Sequence, residues 1–187
     1  MSTLDQINII KQYCEYVEKH LRNVKASWEL CITAFIREKF IWDDCIYFSI
    51  NEMIKNHDSS KMSTEELVPY SNWLCGKYGV SYDIWDDGGK GEKAHAIAKS
   101  EFDAACVHHT KTNPHHWQNW SKKKYYHPYE STCHLVCMLV DWMAMGLEFG
   151  DTAEEYYNDN KTEINLREED HKYLMRLFEL LKTEANQ

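Results

Sequence analysis

The chain is poor in the residues that break helices: seven glycines and three prolines in 187 residues. That scarcity excludes collagen-like and low-complexity chains, and the 13% aromatic content excludes a mostly disordered one. No stretch alternates apolar and polar residues at a period of two, so no strand is expected. No apolar run approaches the length of a membrane span; the longest, 135–140, is closed by Asp141. Met1 to Lys11 lack a basic region followed by an apolar block, so no signal peptide is expected and the expected address is the cytoplasm. The seven cysteines are odd in number and form no CxxC pair. They read as buried apolar residues in a reducing compartment, not as a disulfide frame or a zinc cluster. Basic residues are also outnumbered, 21 against 30 acidic, for a formal charge of −9. Such a surface repels a phosphate backbone and argues against general nucleic-acid binding. A small anionic substrate stays open, because a local cationic or metal centre overrides the net field.

What the chain does have is helical periodicity. Ile9, Ile10, Tyr13, Tyr16, Val17, His20 and Val24 recur at three- and four-residue steps, predicting a helix from about Leu4 to Trp28. Further helices are expected at about 42–56, 92–109, 130–149 and 166–181. Ser63-Thr64-Glu65-Glu66 reads as a capping box, with Ser63 as N-cap and Glu66 at N3 of a helix ending near Gly76 or Gly79. Loops are expected at Asp86 to Gly91, at Thr112-Asn113-Pro114, at 121–129 and at Gly150-Asp151-Thr152. The expectation is an all-α bundle of about six to seven helices in one domain spanning 1–187.

It also has histidine, ten in all, five of them between positions 108 and 127. In chain order the chemistry-bearing residues are His20, His57-Asp58, His108-His109, His115-His116 and Asp141. Asp141 shares a helical face with Leu135, Met138, Trp142, Met145 and Phe149, so its carboxylate is expected to point inward. An unpartnered buried carboxylate costs several kcal/mol, roughly the penalty for any buried ion, so something cationic must meet it. Lys61 or a histidine would serve.

Each of the others also has a plain structural alternative. His20 can be a satisfied core histidine, and His108 or His109 can complement a helix C-terminus. His115-His116-Trp117 can be an aromatic cluster. Taken together, imidazoles and carboxylates are the donor set of iron, manganese, nickel or zinc, and their number and lack of thiolates argue against a closed structural zinc site. Two ions would use the set fully, with Asp58 as the bridge. A two-metal centre suits phosphate-ester hydrolysis.

These residues resemble the HD-domain superfamily of metal-dependent phosphohydrolases, whose minimal order H…HD…D is matched by His20, His57-Asp58 and Asp141. The dinuclear branch, which includes the HD-GYP cyclic-dinucleotide phosphodiesterases, is similar in more detail: H…HDxGK…H…HH…D. His57 to Lys61 match its HD and Lys, with Ser60 in place of Gly. His109 matches its middle histidine, His115-His116 its pair. Trp117 stands where that branch has Glu, and no GYP string is present. The chain also resembles a small, largely phage and bacterial family of unknown function marked by HDxSK, NPHHW and DW strings, here His57 to Lys61, Asn113 to Trp117 and Asp141-Trp142.

The resemblance implies one metal on His20, His57, Asp58 and Asp141 and a second completed by His109, His115 and His116. It implies hydrolysis of a nucleotide or cyclic (oligo)nucleotide phosphate ester by a metal-bound hydroxide, with Asp58 and Lys61 catalytic and Lys61 neutralising a phosphate oxygen. Asn113, Trp117 and Lys122 are the expected substrate contacts. Lys122, Lys123 and Lys124 would draw in an anion, and Trp117, Trp120, Tyr125 and Tyr126 would stack a base, their alternatives being a solvated turn and core packing. A mixed-valent di-iron oxygenase on the same ligands and a non-catalytic metal-containing binding protein are the alternative functions. The oligomeric state is open.

Overall fold

The computed structural model describes residues 2–37, 43–76, 90–123 and 128–182. Among them are eight α-helices, one 3-10 turn and no strand, an all-α fold with slightly more helices than expected. Most of the loop expected at 86–91, the helix end expected near Gly79, and Lys124, Tyr125 and Tyr126 lie outside the described residues.

The first helix, α1 (Thr3–Arg37), runs nine residues past its expected end at Trp28. No glycine or proline stops it, and Val24, Trp28, Cys31 and Phe35 continue its apolar stripe and are buried. α2 (Asp44–Lys55) begins where the Asp43 side chain accepts from the Ile46 amide. After it come the 3-10 turn Ser59–Met62 and α3 (Leu67–Leu74).

The capping box expected at Ser63 does not form; α3 starts four residues later without a side-chain cap. Pro69 explains the shift. In a helix capped by Ser63 its ring would meet the carbonyl of Glu65, whereas a start at Leu67 puts it in the first turn, where no amide hydrogen is needed. Then follow α4 (Lys90–Thr112), the short α5 (Trp117–Trp120), α6 (Pro128–Phe149), α7 (Ala153–Asn160) and α8 (Glu168–Lys182).

The described residues group into two compact units. The first holds residues 1–19 and 58–112. There α3 packs on α4 and both meet the 3-10 turn. Its core is Tyr13 and Val17 of α1, Tyr70 of α3 and Ala105 of α4, with Leu67, Leu74 and Phe102 packed against them.

The second unit holds residues 20–57 and 113–187 and is built on α6, against which α2, α5, α7 and α8 pack. Every α6 residue from Leu135 to Trp142 is buried, so the helix is covered all round at its middle. Phe149 is an exception to the expected inward face, being 70% exposed. α6 is the one described helix long and apolar enough to cross a membrane, and 56% of its apolar window is buried within the protein, as in a core helix. Asp170 at the start of α8 is also buried, and its charge is met by Arg167 and by the hydroxyl of Ser131 on α6.

α6 stops at Gly150, whose φ of +89° is a left-handed value that glycine adopts without penalty. α7 was not expected from sequence. It is started by a full capping box, in which Thr152 Oγ1 accepts from the Glu155 amide at 3.1 Å and the Glu155 carboxylate accepts from the Thr152 amide at 2.8 Å. Thr152→Ala should therefore cost about 1 kcal/mol. Urea unfolding would show a lower midpoint with an unchanged slope.

Candidate metal centre

The second unit brings together donors from four places in the sequence. His20 is on α1, His57 follows the C-cap of α2, His115 precedes α5, and Asp141 is in the covered middle of α6. All four are buried. His20 Nε2 lies 3.3 Å from His57 Nε2, and each of these nitrogens lies 3.2 Å from the same oxygen, Asp141 Oδ1. Three donor atoms thus form a nearly equilateral triangle. Metal–donor bonds of roughly 2.1 Å give donor–donor edges from roughly 3.0 Å at right angles to roughly 3.4 Å at the tetrahedral angle. The triangle falls between those limits.

His115 joins from the other side, its ring stacked on that of His57 with centroids 4.0 Å apart. The donor atoms of His57, His115 and Asp141 all lie within 4.8 Å of one another, so this buried His/Asp group could hold a metal ion. His116, half-buried at the N-cap of α5, stacks against His115 with centroids 4.3 Å apart.

Electrostatics fit the same reading. Burial is the largest influence on the Asp141 carboxyl and pushes its pKa up. Hydrogen bonds from His20 and His57, with the charges of His57 and His115, outweigh it and hold the group well below the usual carboxylate range. The cationic partner expected for Asp141 is thus supplied by imidazoles.

The first unit carries its own cluster. Asp58 has φ +57° and ψ +17°, the one non-glycine residue with positive φ among those described. Aspartate tolerates this left-handed backbone better than most residues, but holding it there still costs about 1 kcal/mol or more. Its carboxylate is 1% exposed, with Lys61 Nζ 2.7 Å from Oδ2 and His109 Nε2 3.2 Å from Oδ1. Lys61, expected on a phosphate oxygen, is therefore ion-paired to the carboxylate beside it.

Glu66, read from sequence as a capping residue, is fully buried and holds two histidines. Its Oε1 lies 2.7 Å from His108 Nδ1 and its Oε2 lies 2.8 Å from His109 Nδ1. One sequence signal was available. Glu66, at the N-cap of α3, stands four residues before Tyr70 and eight before Leu74, in line with the helix's inward face. Tyr13, stacked on Tyr70 with centroids 6.0 Å apart, is wholly buried, and its hydroxyl has no hydrogen-bond partner among the described residues. Burial, then the charges of Asp58 and Glu66, push that hydroxyl's pKa well up, so it stays a donor.

The expected substrate contacts are spread differently. Asn113 is buried and Lys122 is exposed. Trp117 packs partly buried against the core of the second unit, and Trp120 is wholly buried within it. Trp120 is thus a core residue and cannot stack a base.

His134, two turns before Asp141 on α6, has its pKa lowered to about 4 by burial, then by Lys123 and His115. The folded state resists a proton that an unfolded imidazole takes up near its ordinary value of 6.5. This contribution is complete above 6.5 and is lost as pH falls towards 4. His134→Gln should flatten the fall of the denaturation midpoint across that window, as followed by urea titration at a series of pH values.

No curated protein and no solved structure matches the chain. The profile of one family does match, over residues 9–186: the chain belongs to DUF5662, a family of unknown function.

Proposed function

We propose that the protein is a metal-dependent phosphohydrolase acting on a nucleotide or cyclic (oligo)nucleotide phosphate ester. The observation that carries this reading is the triangle of His20 Nε2, His57 Nε2 and Asp141 Oδ1, with edges of 3.2–3.3 Å, buried in the second unit. His20, His57, His115 and Asp141 hold one divalent ion there, with His116 beside them. Asp58 and His109 of the first unit offer a carboxylate oxygen and an imidazole nitrogen to a second. The donors are nitrogen and oxygen only, the set that suits manganese, iron, nickel or zinc. When bound, such ions supply an acidified water and a positive field for the charge that develops on phosphorus.

The chain's own residues do the rest. Asp141, held ionised by its imidazole neighbours, anchors the cation in an apolar helix. Lys61 pairs with Asp58 and orients its carboxylate. The Tyr13 hydroxyl supplies a buried donor for a ligand oxygen. The H…HD…H…HH…D order of the sequence supports the same set of donor residues, as does the left-handed backbone that Asp58 maintains at a cost.

Metal content by mass spectrometry on untagged protein tests the reading. Near two equivalents of manganese, iron, nickel or zinc are expected, with hydrolysis of at least one member of a nucleotide-ester panel. Asp141→Asn should lose at least one equivalent, and Asp58→Ala should lose metal and hydrolysis together. No metal after reconstitution with manganese or iron would overturn the proposal. Iron with oxygen consumption and no ester cleavage would replace it with the oxygenase.

A further inference from the structure

We propose that Glu66 is a positioning residue that sets the proton of His109 on Nδ1 and thereby makes Nε2 of His109, not any atom of His108, the metal-binding nitrogen of the first unit. The proposal rests on the metal reading above and adds to it the identity of the donor and the device that orients it.

The sequence leaves two adjacent histidines equivalent, and the structure separates them. Both direct Nδ1 at Glu66, one to each carboxylate oxygen, at 2.7 and 2.8 Å. An ionised carboxylate accepts only, so each Nδ1 donates. A neutral imidazole has a single proton, and once that proton is on Nδ1 the lone pair is on Nε2. For His109 that nitrogen lies 3.2 Å from Asp58 Oδ1. A lone pair facing a carboxylate oxygen at this distance is repulsive, and either a second proton or a metal ion between them relieves it. An imidazole and a carboxylate turned towards one point make a pair of metal donors.

Burial points the same way. The His109 side chain is 7% exposed and that of His108 is 38% exposed. The edge of the Tyr70–His109 pair, with centroids 6.0 Å apart and planes at 74°, braces the His109 ring, and Ser60 Oγ lies 3.2 Å from its Nδ1. Burying Glu66 completely would cost several kcal/mol without partners, and two imidazole donors offset that cost. Carboxylates that hold the far nitrogen of a ligating histidine typically strengthen metal binding by about 10–100-fold.

Glu66→Gln keeps the shape and removes the symmetry. An amide presents one oxygen and one NH2, so it cannot accept from both imidazoles, and its NH2 reverses the tautomer of the ring it faces. In metal-free wild-type protein at alkaline pH, nitrogen-15 correlation spectra should show His109 with its proton on Nδ1. In Glu66→Gln the Nε2–H form of one of the two histidines should rise. By chelator competition with zinc or manganese, Glu66→Gln should weaken the second equivalent by about 10–100-fold. His109→Gln should lose that equivalent, and His108→Gln should retain it.

The two histidine variants leave Glu66 in place and decide the assignment even if Glu66→Gln does not fold. Loss of an equivalent in His108→Gln with retention in His109→Gln would overturn the proposal. So would a wild-type His109 that carries its proton on Nε2. If wild-type protein binds no metal, the phosphohydrolase reading fails and the donor assignment with it, while the tautomer spectra still report whether Glu66 orients the ring.

Discussion

Besides Asp170, which Arg167 pairs, three carboxylates are buried among the described residues: Asp58, Glu66 and Asp141. Each must find positive charge or strong donors, because an isolated buried carboxylate would cost several kcal/mol, a large share of a typical domain's net stability. What meets them is imidazole in every case, with Lys61 added at Asp58. This constraint decides where the histidines point. A helix such as α6, covered all round from Leu135 to Trp142, admits one charge at its middle only if other helices bring donors to it. His20 and His57 do so from α1 and from the end of α2.

The backbone is arranged around the same need. α2 ends at Asn56 and the chain turns through Asp58 in a left-handed conformation before the 3-10 turn. His57 lies beside Asp141, and Asp58 lies beside His109. A helical continuation would have kept their side chains about 100° apart on one cylinder. A single strained residue thus lets one dipeptide serve two sets of partners, which is where strain is expected to persist.

Much of this was legible in the sequence. The three- and four-residue spacing of apolar residues was enough for an all-α fold, and the inward aim of Asp141 followed from its neighbours at the same spacing. Two things were hidden. α7 buries only Ala153 and Tyr157, one turn apart, too little to register as a stripe, although Thr152 and Glu155 were a readable start signal. Glu66 was assigned to a helix start because Ser63-Thr64-Glu65-Glu66 fits a capping pattern. The pattern ignored Pro69, which a helix starting at Ser63 cannot contain without a broken hydrogen bond. A local rule was satisfied on paper while a neighbour three residues on forbade it. The choice between His108 and His109 was also closed to sequence, since adjacent helical residues differ by a rotation that only the partner at Glu66 makes visible.

The acidity of the chain bears on the proposed substrate. With a formal charge of −9, the protein as a whole repels a phosphate ester. The second unit's centre holds one carboxylate among imidazoles, so without an ion it carries about one negative charge when those imidazoles are neutral. A divalent cation reverses that sign. In the first unit, with His108 and His109 neutral, Asp58 and Glu66 are opposed by Lys61, and a divalent cation reverses the sign there as well. An anionic substrate would therefore be attracted only to the loaded protein, and at short range, because beyond about 8 Å physiological salt screens the rest of the surface. The same imidazoles that make the buried carboxylates tolerable would then make the centre's affinity for anions conditional on metal.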